Sequence, residues 1–60
     1  MAKNVMNIEE NGHHYKVVPV EGSDGEYIVI RDGVTTKRIT HDELFVGEDI
    51  IDIEEWFNLA

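Results

Sequence analysis

The stretch that decides the fold is EYIVIRDGVTTKRIT, residues 26–40, in which two runs rich in Val, Ile, Tyr and Thr flank one Asp-Gly pair. β-Branched and aromatic residues are enriched in strands, and an Asp-Gly pair tolerates the positive φ angles of a tight hairpin turn. We therefore predict strands at about 26–31 and 34–40, joined by a two-residue loop at Asp32-Gly33 that fixes their register.

Two further turn signals extend this hairpin toward the N-terminus. Asn11-Gly12 and Asp24-Gly25 each pair a residue that tolerates positive φ with a glycine. They predict two more strands, at about 5–9 and 14–20, and the four runs together predict a small antiparallel β-meander of three to four strands.

The two central strands are apolar on both faces. Successive side chains of a strand point to opposite faces, so Val17 and Val18 lie on different faces, as do Ile28 and Val29. One short helix covers only one of these faces, and antiparallel sheets tolerate a wet face best when it is polar. The second face therefore either closes into a small barrel or packs against another copy of the chain, and we expect a homodimer.

After Thr40 the sequence changes to a helical period. Thr40 and Glu43 form a capping-box pattern, which predicts a helical turn at about 41–46. Gly47 is interpreted as the residue that ends this turn.

A second helix is predicted at about 49–58, with Ile53 and Phe57 on its apolar face. In an alternative, residues 49–51 stay extended and the helix begins at Asp52, which places acids in the first turn, where the helix dipole favours them. In either case the fold class is α+β and β-rich, with a short C-terminal acidic amphipathic helix.

Length and composition predict a single small domain over residues 1–60. The chain has no Cys, so it contains neither a disulfide nor a thiolate zinc site to support a core of marginal size. The N-terminal residues lack the apolar run of a signal peptide, and nothing approaches a membrane span in length. We therefore expect a cytoplasmic protein.

The negative charge of the chain is concentrated in its C-terminal third. Residues 40–60 contain seven carboxylates and neither Lys nor Arg, whereas residues 1–39 contain six carboxylates and five basic residues. The formal charge of −8 therefore divides into −7 and −1. A field of one sign attracts oppositely charged partners and speeds their encounter. Arg31, Lys37 and Arg38 are interpreted as solvated strand-edge residues, which leaves no basic patch for direct nucleic-acid binding.

Catalysis and metal binding have few residues to use. Ser23 is the only Ser and lies in a Gly-containing stretch, so we interpret it as a turn residue. His13 and His14 point to opposite faces of a strand and do not converge on one ion, although a small metal- or ligand-binding domain that uses His13, His14 or His41 is kept as a minor hypothesis. We predict no enzymatic activity, no cofactor and no metal.

The acidic segment carries the functional prediction. We predict a non-catalytic acidic protein-binding module that inhibits or modulates a basic macromolecular partner, which includes partners that bind nucleic acid. The predicted partner-binding residues are Asp42, Glu43, Glu48, Asp49, Asp52, Glu54, Glu55 and Trp56. Trp56 is either packed against the sheet or an aromatic anchor at the interface.

Imitation of a nucleic acid is one form of this prediction. Residues 48–59 as a helix are about 18 Å long, a length over which duplex DNA presents about ten phosphate charges. That segment contains five carboxylates. Full charge density therefore requires two copies side by side, or the addition of Asp42 and Glu43 to the same surface.

In size, charge and shortage of catalytic groups, the chain is similar in general character to the small acidic proteins that phages make to inhibit host enzymes or defence systems. The similarity is one of composition and involves no motif. The alternative function is a structural or assembly module whose C-terminal segment mediates homo-oligomerisation, with carboxylates that serve only to keep the surface solvated.

Overall fold

A computed structural model describes residues 5–59 as a four-stranded antiparallel sheet, a two-stranded hairpin and two short helices. The large sheet consists of β1 (Met6–Glu10), β2 (His13–Pro19), β3 (Glu26–Arg31) and β4 (Thr35–Thr40), in that spatial order. It is followed by α1 (His41–Leu44), β5 (Phe45–Val46), β6 (Asp49–Ile50) and α2 (Ile53–Leu59). The predicted β-rich α+β meander is confirmed. Neither helix is long and apolar enough to cross a membrane.

The turn between β1 and β2 forms at Asn11-Gly12, as predicted. Glu10 pairs with His13 across a two-residue loop. Asn11 has a φ of 54° and Gly12 a φ of 83°, and a type I′ turn requires positive φ at both central residues. The two strands therefore each reach one residue closer to the turn than predicted.

The turn between β3 and β4 has three residues, so the predicted two-residue loop is wrong. A two-residue loop would set Arg31 opposite Val34, but Arg31 pairs with Thr35. Asp32 and Gly33 do adopt positive φ angles of 53° and 71°, and the Val34 N–H donates to the Arg31 carbonyl at 3.0 Å. Val34 is thus an extra residue between a tight turn and the start of the ladder.

This extra residue decides which face of β4 joins the core. With Arg31 opposite Val34, Ile39 would pair with Glu26 and face away from the core, because a one-residue slip turns every side chain of a strand to the other face. In the observed register Ile39 pairs with Tyr27 and is only 1% exposed.

The core lies on one face of the large sheet. Among the described residues, seven side chains are fully buried, and they come from the sheet, α1 and α2: Tyr15, Val17, Val29, Ile39, Leu44, Ile53 and Phe57. The rings of Tyr15 and Phe57 meet edge to face, with centroids 5.6 Å apart. Both helices therefore cover the same face of the sheet.

α1 ends earlier than predicted because the chain turns into a second hairpin. The predicted capping box is present: the Glu43 N–H donates to Thr40 Oγ1 and the Thr40 N–H to Glu43 Oε1, each at 3.3 Å. Phe45 is already extended and pairs with Ile50. Gly47, with a φ of 64°, lies in the turn of this β5–β6 hairpin and does not end α1.

α2 begins at Ile53, so the predicted start at about residue 49 is wrong and the alternative of a later start is close to the observed one. Residues 49–50 are paired in the small hairpin and are unavailable to a helix. Asp52 caps α2, since its Oδ1 accepts from the Glu55 N–H at 3.3 Å.

Two basic side chains hold the C-terminal end of α2 against the sheet. Lys37 Nζ donates to the Phe57 carbonyl at 2.7 Å, and an Arg31 guanidinium nitrogen donates to Asn58 Oδ1 at 3.4 Å. Both cations lie over the Phe57 ring, 4.7 Å from its centroid. Cations are favourable at a helix C-terminus and over an aromatic face. The interpretation of Arg31 and Lys37 as solvated edge residues is therefore wrong.

The opposite face of the large sheet, which we call the open face, has no other element of residues 5–59 packed over it. Its apolar centre consists of Val18, Ile28 and Ile30, which are half-buried by their neighbours within the sheet. The sheet does not close into a barrel, because β1 and β4 lie at opposite edges.

The three-residue turn generates a prediction about deletions. Removing Val34 leaves the Asp-Gly pair as a two-residue type I′ turn with Thr35 still opposite Arg31, so we expect a free energy of unfolding within about 1 kcal/mol of the parent. Removing Val34 and Thr35 together forces β4 out of register and takes Ile39 from its site, with an expected loss of at least about 2 kcal/mol. Urea denaturation followed by circular dichroism measures both. A single deletion as costly as the double one would contradict the observed turn.

Candidate functional site: an acidic groove beside Trp56

The eight residues predicted to bind a partner lie on three elements. Asp42 and Glu43 are in α1, Glu48 and Asp49 are at the tip of the β5–β6 hairpin, and Asp52, Glu54, Glu55 and Trp56 are at the start of α2. The structure brings four of them together around one groove: Glu43, Asp52, Glu55 and Trp56.

This feature, which we call the acidic groove, has a volume of about 350 Å³ and lies where α1 approaches α2. Its lining adds two apolar residues to those four: Ile51 and Leu59. Sequence reasoning did not select either of them. The groove thus combines three carboxylates with three apolar side chains.

Trp56 packs against the core on one side and lines the groove on the other. Its ring contacts Phe57 at a centroid distance of 6.0 Å with an interplanar angle of 73°, so one side of the indole is supported by the core. The side chain is only half-buried, and its remaining surface faces the groove together with Leu59, which is 82% exposed. A rigid aromatic wall is therefore available to a ligand.

Among residues 5–59, no basic residue lines the groove beside its three carboxylates. Glu43 and Asp52 also serve as helix-capping groups, which fixes where their charges lie. Carboxylates beside an aromatic wall suit a cation with an apolar stem, because the stem packs on the ring while the charged head pairs with the acids. Lys and Arg side chains have that chemistry.

Four predicted residues lie outside the groove: Asp42, Glu48, Asp49 and Glu54, the last of which belongs to a second acidic cluster. Asp42 is fully exposed, with its carboxylate 4.0 Å from His41 Nδ1, and Glu48 and Asp49 are exposed at the hairpin tip. These three contribute to the negative field of this side of the molecule but do not line the acidic groove.

A second acidic cluster forms where the end of β1 meets the start of α2. Carboxylate oxygens of Glu10, Asp52 and Glu54 all lie within 4.8 Å of one another. Partial burial, the charges of Asp52 and Glu54, and a hydrogen bond with Asp52 raise the pKa of Glu10. Sequence reasoning missed Glu10, since nothing near it in the chain shows that α2 returns to this strand. Three surface carboxylates can approach one divalent cation but do not by themselves select one.

The histidines do not converge on a common site within residues 5–59. His13 Nδ1 lies 2.7 Å from Asp32 Oδ2, and His14 Nε2 lies 3.1 Å from Asn7 Oδ1. The ring of His41 packs on another element, against Phe45. Hydrogen bonds from the His14 backbone N–H and from His13 lower the pKa of Asp32. These contacts stabilise the charged carboxylate of Asp32 in the β3–β4 turn.

Comparison with protein-family models, with curated proteins and with solved structures found no match for this chain. Its function is therefore inferred from the geometry of its own residues.

The Glu10 cluster predicts a stabilising substitution. Its raised pKa means that the charged carboxylate disfavours the folded state. This penalty is absent below the ordinary pKa of a glutamate, grows between that pKa and the raised pKa of the folded state, and is complete above it. We expect Glu10→Gln to raise the melting temperature at neutral pH, and this gain to shrink as the pH is lowered toward 4.

The matched control for this substitution is Glu48→Gln, which removes the same charge from the exposed hairpin tip. Thermal melts of both variants at neutral and acidic pH separate a local effect from the general reduction of negative charge. Equal gains from Glu10→Gln and Glu48→Gln would contradict the assignment of repulsion to this cluster.

Proposed function

We propose that this chain is a non-catalytic binding module that captures a basic side chain of a macromolecular partner in the acidic groove and thereby inhibits or modulates that partner. The observation that carries the proposal is the combination of three carboxylates, which have no basic lining residue among residues 5–59, with a half-buried Trp56. Tryptophan and arginine are among the residues that dominate interface energetics.

The size of the groove supports an insertion of this kind. Its volume of about 350 Å³ is at the lower end of the range for small-molecule sites, about 300–1,000 Å³. One long side chain fits such a volume better than an extended segment does. The stem of an Arg or Lys would pack on Trp56 and Leu59, while its head would reach Asp52 and Glu55.

The charge distribution supports the choice of a basic partner. Seven of the carboxylates belong to residues 40–60, which contain no Lys or Arg, and the whole chain carries −8. Such a field raises the association rate of a basic protein and makes it dependent on salt. Proteins that bind nucleic acid have positively charged surfaces and are therefore suitable partners. The proposal includes that the chain acts in the cytoplasm as an inhibitor, similar in character to those of phages.

A linear imitation of a nucleic acid receives less support. α2 has seven residues, which at 1.5 Å per residue is about 10 Å, and only Glu54 and Glu55 among them are acidic. Duplex DNA presents about six phosphate charges over that length. The acids of the groove come instead from three separate places: Glu43 in α1, Asp52 just before α2, and Glu55 in α2.

The alternative function, a structural or assembly module that oligomerises through its C-terminal segment, receives less support. It requires the apolar residues of the C-terminal segment to pack on another chain, but Ile53 and Phe57 are 1% and 2% exposed in a single chain. Both side chains pack against the sheet of their own chain.

The proposal predicts that charge in the groove controls partner binding. Affinity capture from the native host, followed by mass spectrometry, would use the wild-type chain and an Asp52→Asn/Glu55→Gln variant as baits. Asn is also a good helix cap, so α2 should be retained. We expect partners of the wild-type chain to bind the variant at least about tenfold more weakly, which corresponds to roughly 1.4 kcal/mol.

The matched control is Glu48→Gln/Asp49→Asn, which removes the same charge from the hairpin tip outside the groove. This variant should retain most of the affinity, with a modest decrease in association rate. Equal losses from both variants, or a partner whose binding is insensitive to salt, would contradict a specific role for the acidic groove.

A further inference from the structure

We infer that a second copy of this chain binds to the open face of the large sheet. Its apolar centre, formed by Val18, Ile28 and Ile30, lies on neighbouring strands and has no helix over it within residues 5–59. A sheet face of this kind is stable in water when it is polar, and this one is apolar at its middle. The inference is independent of the acidic groove, which lies on the other side of the sheet.

The charges of the open face favour a second copy as its occupant. The strand register places four charged residues on it: Glu9, Lys16, Glu26 and Arg38. Two are basic and two are acidic, so the part of the face formed by the described strands is neutral although the chain carries −8. It is therefore a surface on which two such acidic molecules can meet without placing like charges together.

The order of these charges along the strands is self-complementary. Glu9 lies at one end of the sheet, beside His14, and Glu26 at the other end, beside Thr40. Lys16 and Arg38 lie between them, where they pair with Ile30 and Ile28. Arg38 already pairs with Glu26 within each chain at 3.1 Å, which leaves Lys16 and the 85% exposed Glu9 for a contact between copies. Two copies related by a two-fold axis and offset along the strands would bring Lys16 of each against Glu9 of the other, as an isologous interface requires.

The area of the face sets the strength of the contact. Strands of about six residues are roughly 20 Å long, and four of them at a spacing of about 4.8 Å give a face of roughly 300–400 Å². A standard stable interface buries about 800 Å² per partner. The dimer should therefore be weak and reversible, and should appear as the concentration is raised.

Dimerisation through this face changes the expected arrangement of the acidic surfaces. α2 and the acidic groove lie over the core face, so two chains joined through their open faces present their grooves on opposite outer sides. The dimer is then a bivalent ligand for basic partners. The side-by-side pair of acidic helices considered from the sequence is not what this geometry produces.

Sedimentation velocity over a range of concentrations tests the inference with the full chain. We expect a reversible monomer–dimer equilibrium for the wild type, and a dissociation constant raised at least about tenfold by Ile28→Thr/Ile30→Thr, which keeps the β-branched side chains that strands favour. The control is Val34→Thr, because Val34 is 81% exposed but lies in the turn outside the open face. It should leave the dimer unchanged.

A second variant and a spectroscopic measurement distinguish loss of the dimer from loss of folding. Lys16→Glu changes one exposed residue and gives the neutral face a charge of −2, so it should also weaken the dimer at least about tenfold. Emission of Trp56 should stay constant as the dimer forms, because Trp56 lies on the core side. A wild-type chain that stays monomeric at high concentration, a dimer that survives both variants, or emission that shifts with dimerisation would overturn the inference.

Discussion

The docking of Phe57 onto the sheet is the interaction on which the rest of the structure depends. Its ring packs against Tyr15 in the core and lies beneath the cationic groups of Arg31 and Lys37. Truncation of a buried Phe costs about 3–5 kcal/mol, which is comparable to the whole stability that a core of this size supplies. Without this contact α2 has no fixed position, and seven residues are too few for a helix to persist alone.

The same contact explains why the acidic side of the molecule is not neutralised. Arg31 and Lys37 point toward the C-terminal end of α2, and Arg38 pairs with Glu26 on the open face at 3.1 Å. Three of the five basic residues are therefore placed away from the start of α2, where the carboxylates collect. The positive groups complement the negative end of the helix dipole, while the acids in its first turn complement the positive end.

Local signals in the sequence predict the local structure well. The Asn11-Gly12 turn, the capping box and the order of the strands follow from rules that act over a few residues. The three-residue turn was missed because Val34 has the β propensity of a strand residue, and only the burial of Ile39 shows which register is correct. The acids and Trp56 were selected from composition, but their division between a groove, a hairpin tip and a cluster with Glu10 depends on long-range packing that no local pattern encodes.

The position of Phe57 between the sheet and its two cations can be measured directly by NMR. Protons held over an aromatic ring resonate upfield of their usual positions, so the side-chain methylene protons of Lys37 and Arg31 should be shifted upfield and should return to ordinary values in Phe57→Leu. The ring lies 4.7 Å from both cationic groups. Ordinary methylene shifts for both residues in the folded wild-type protein would show that α2 does not dock as described, and would contradict the placement of the acidic groove that follows from it.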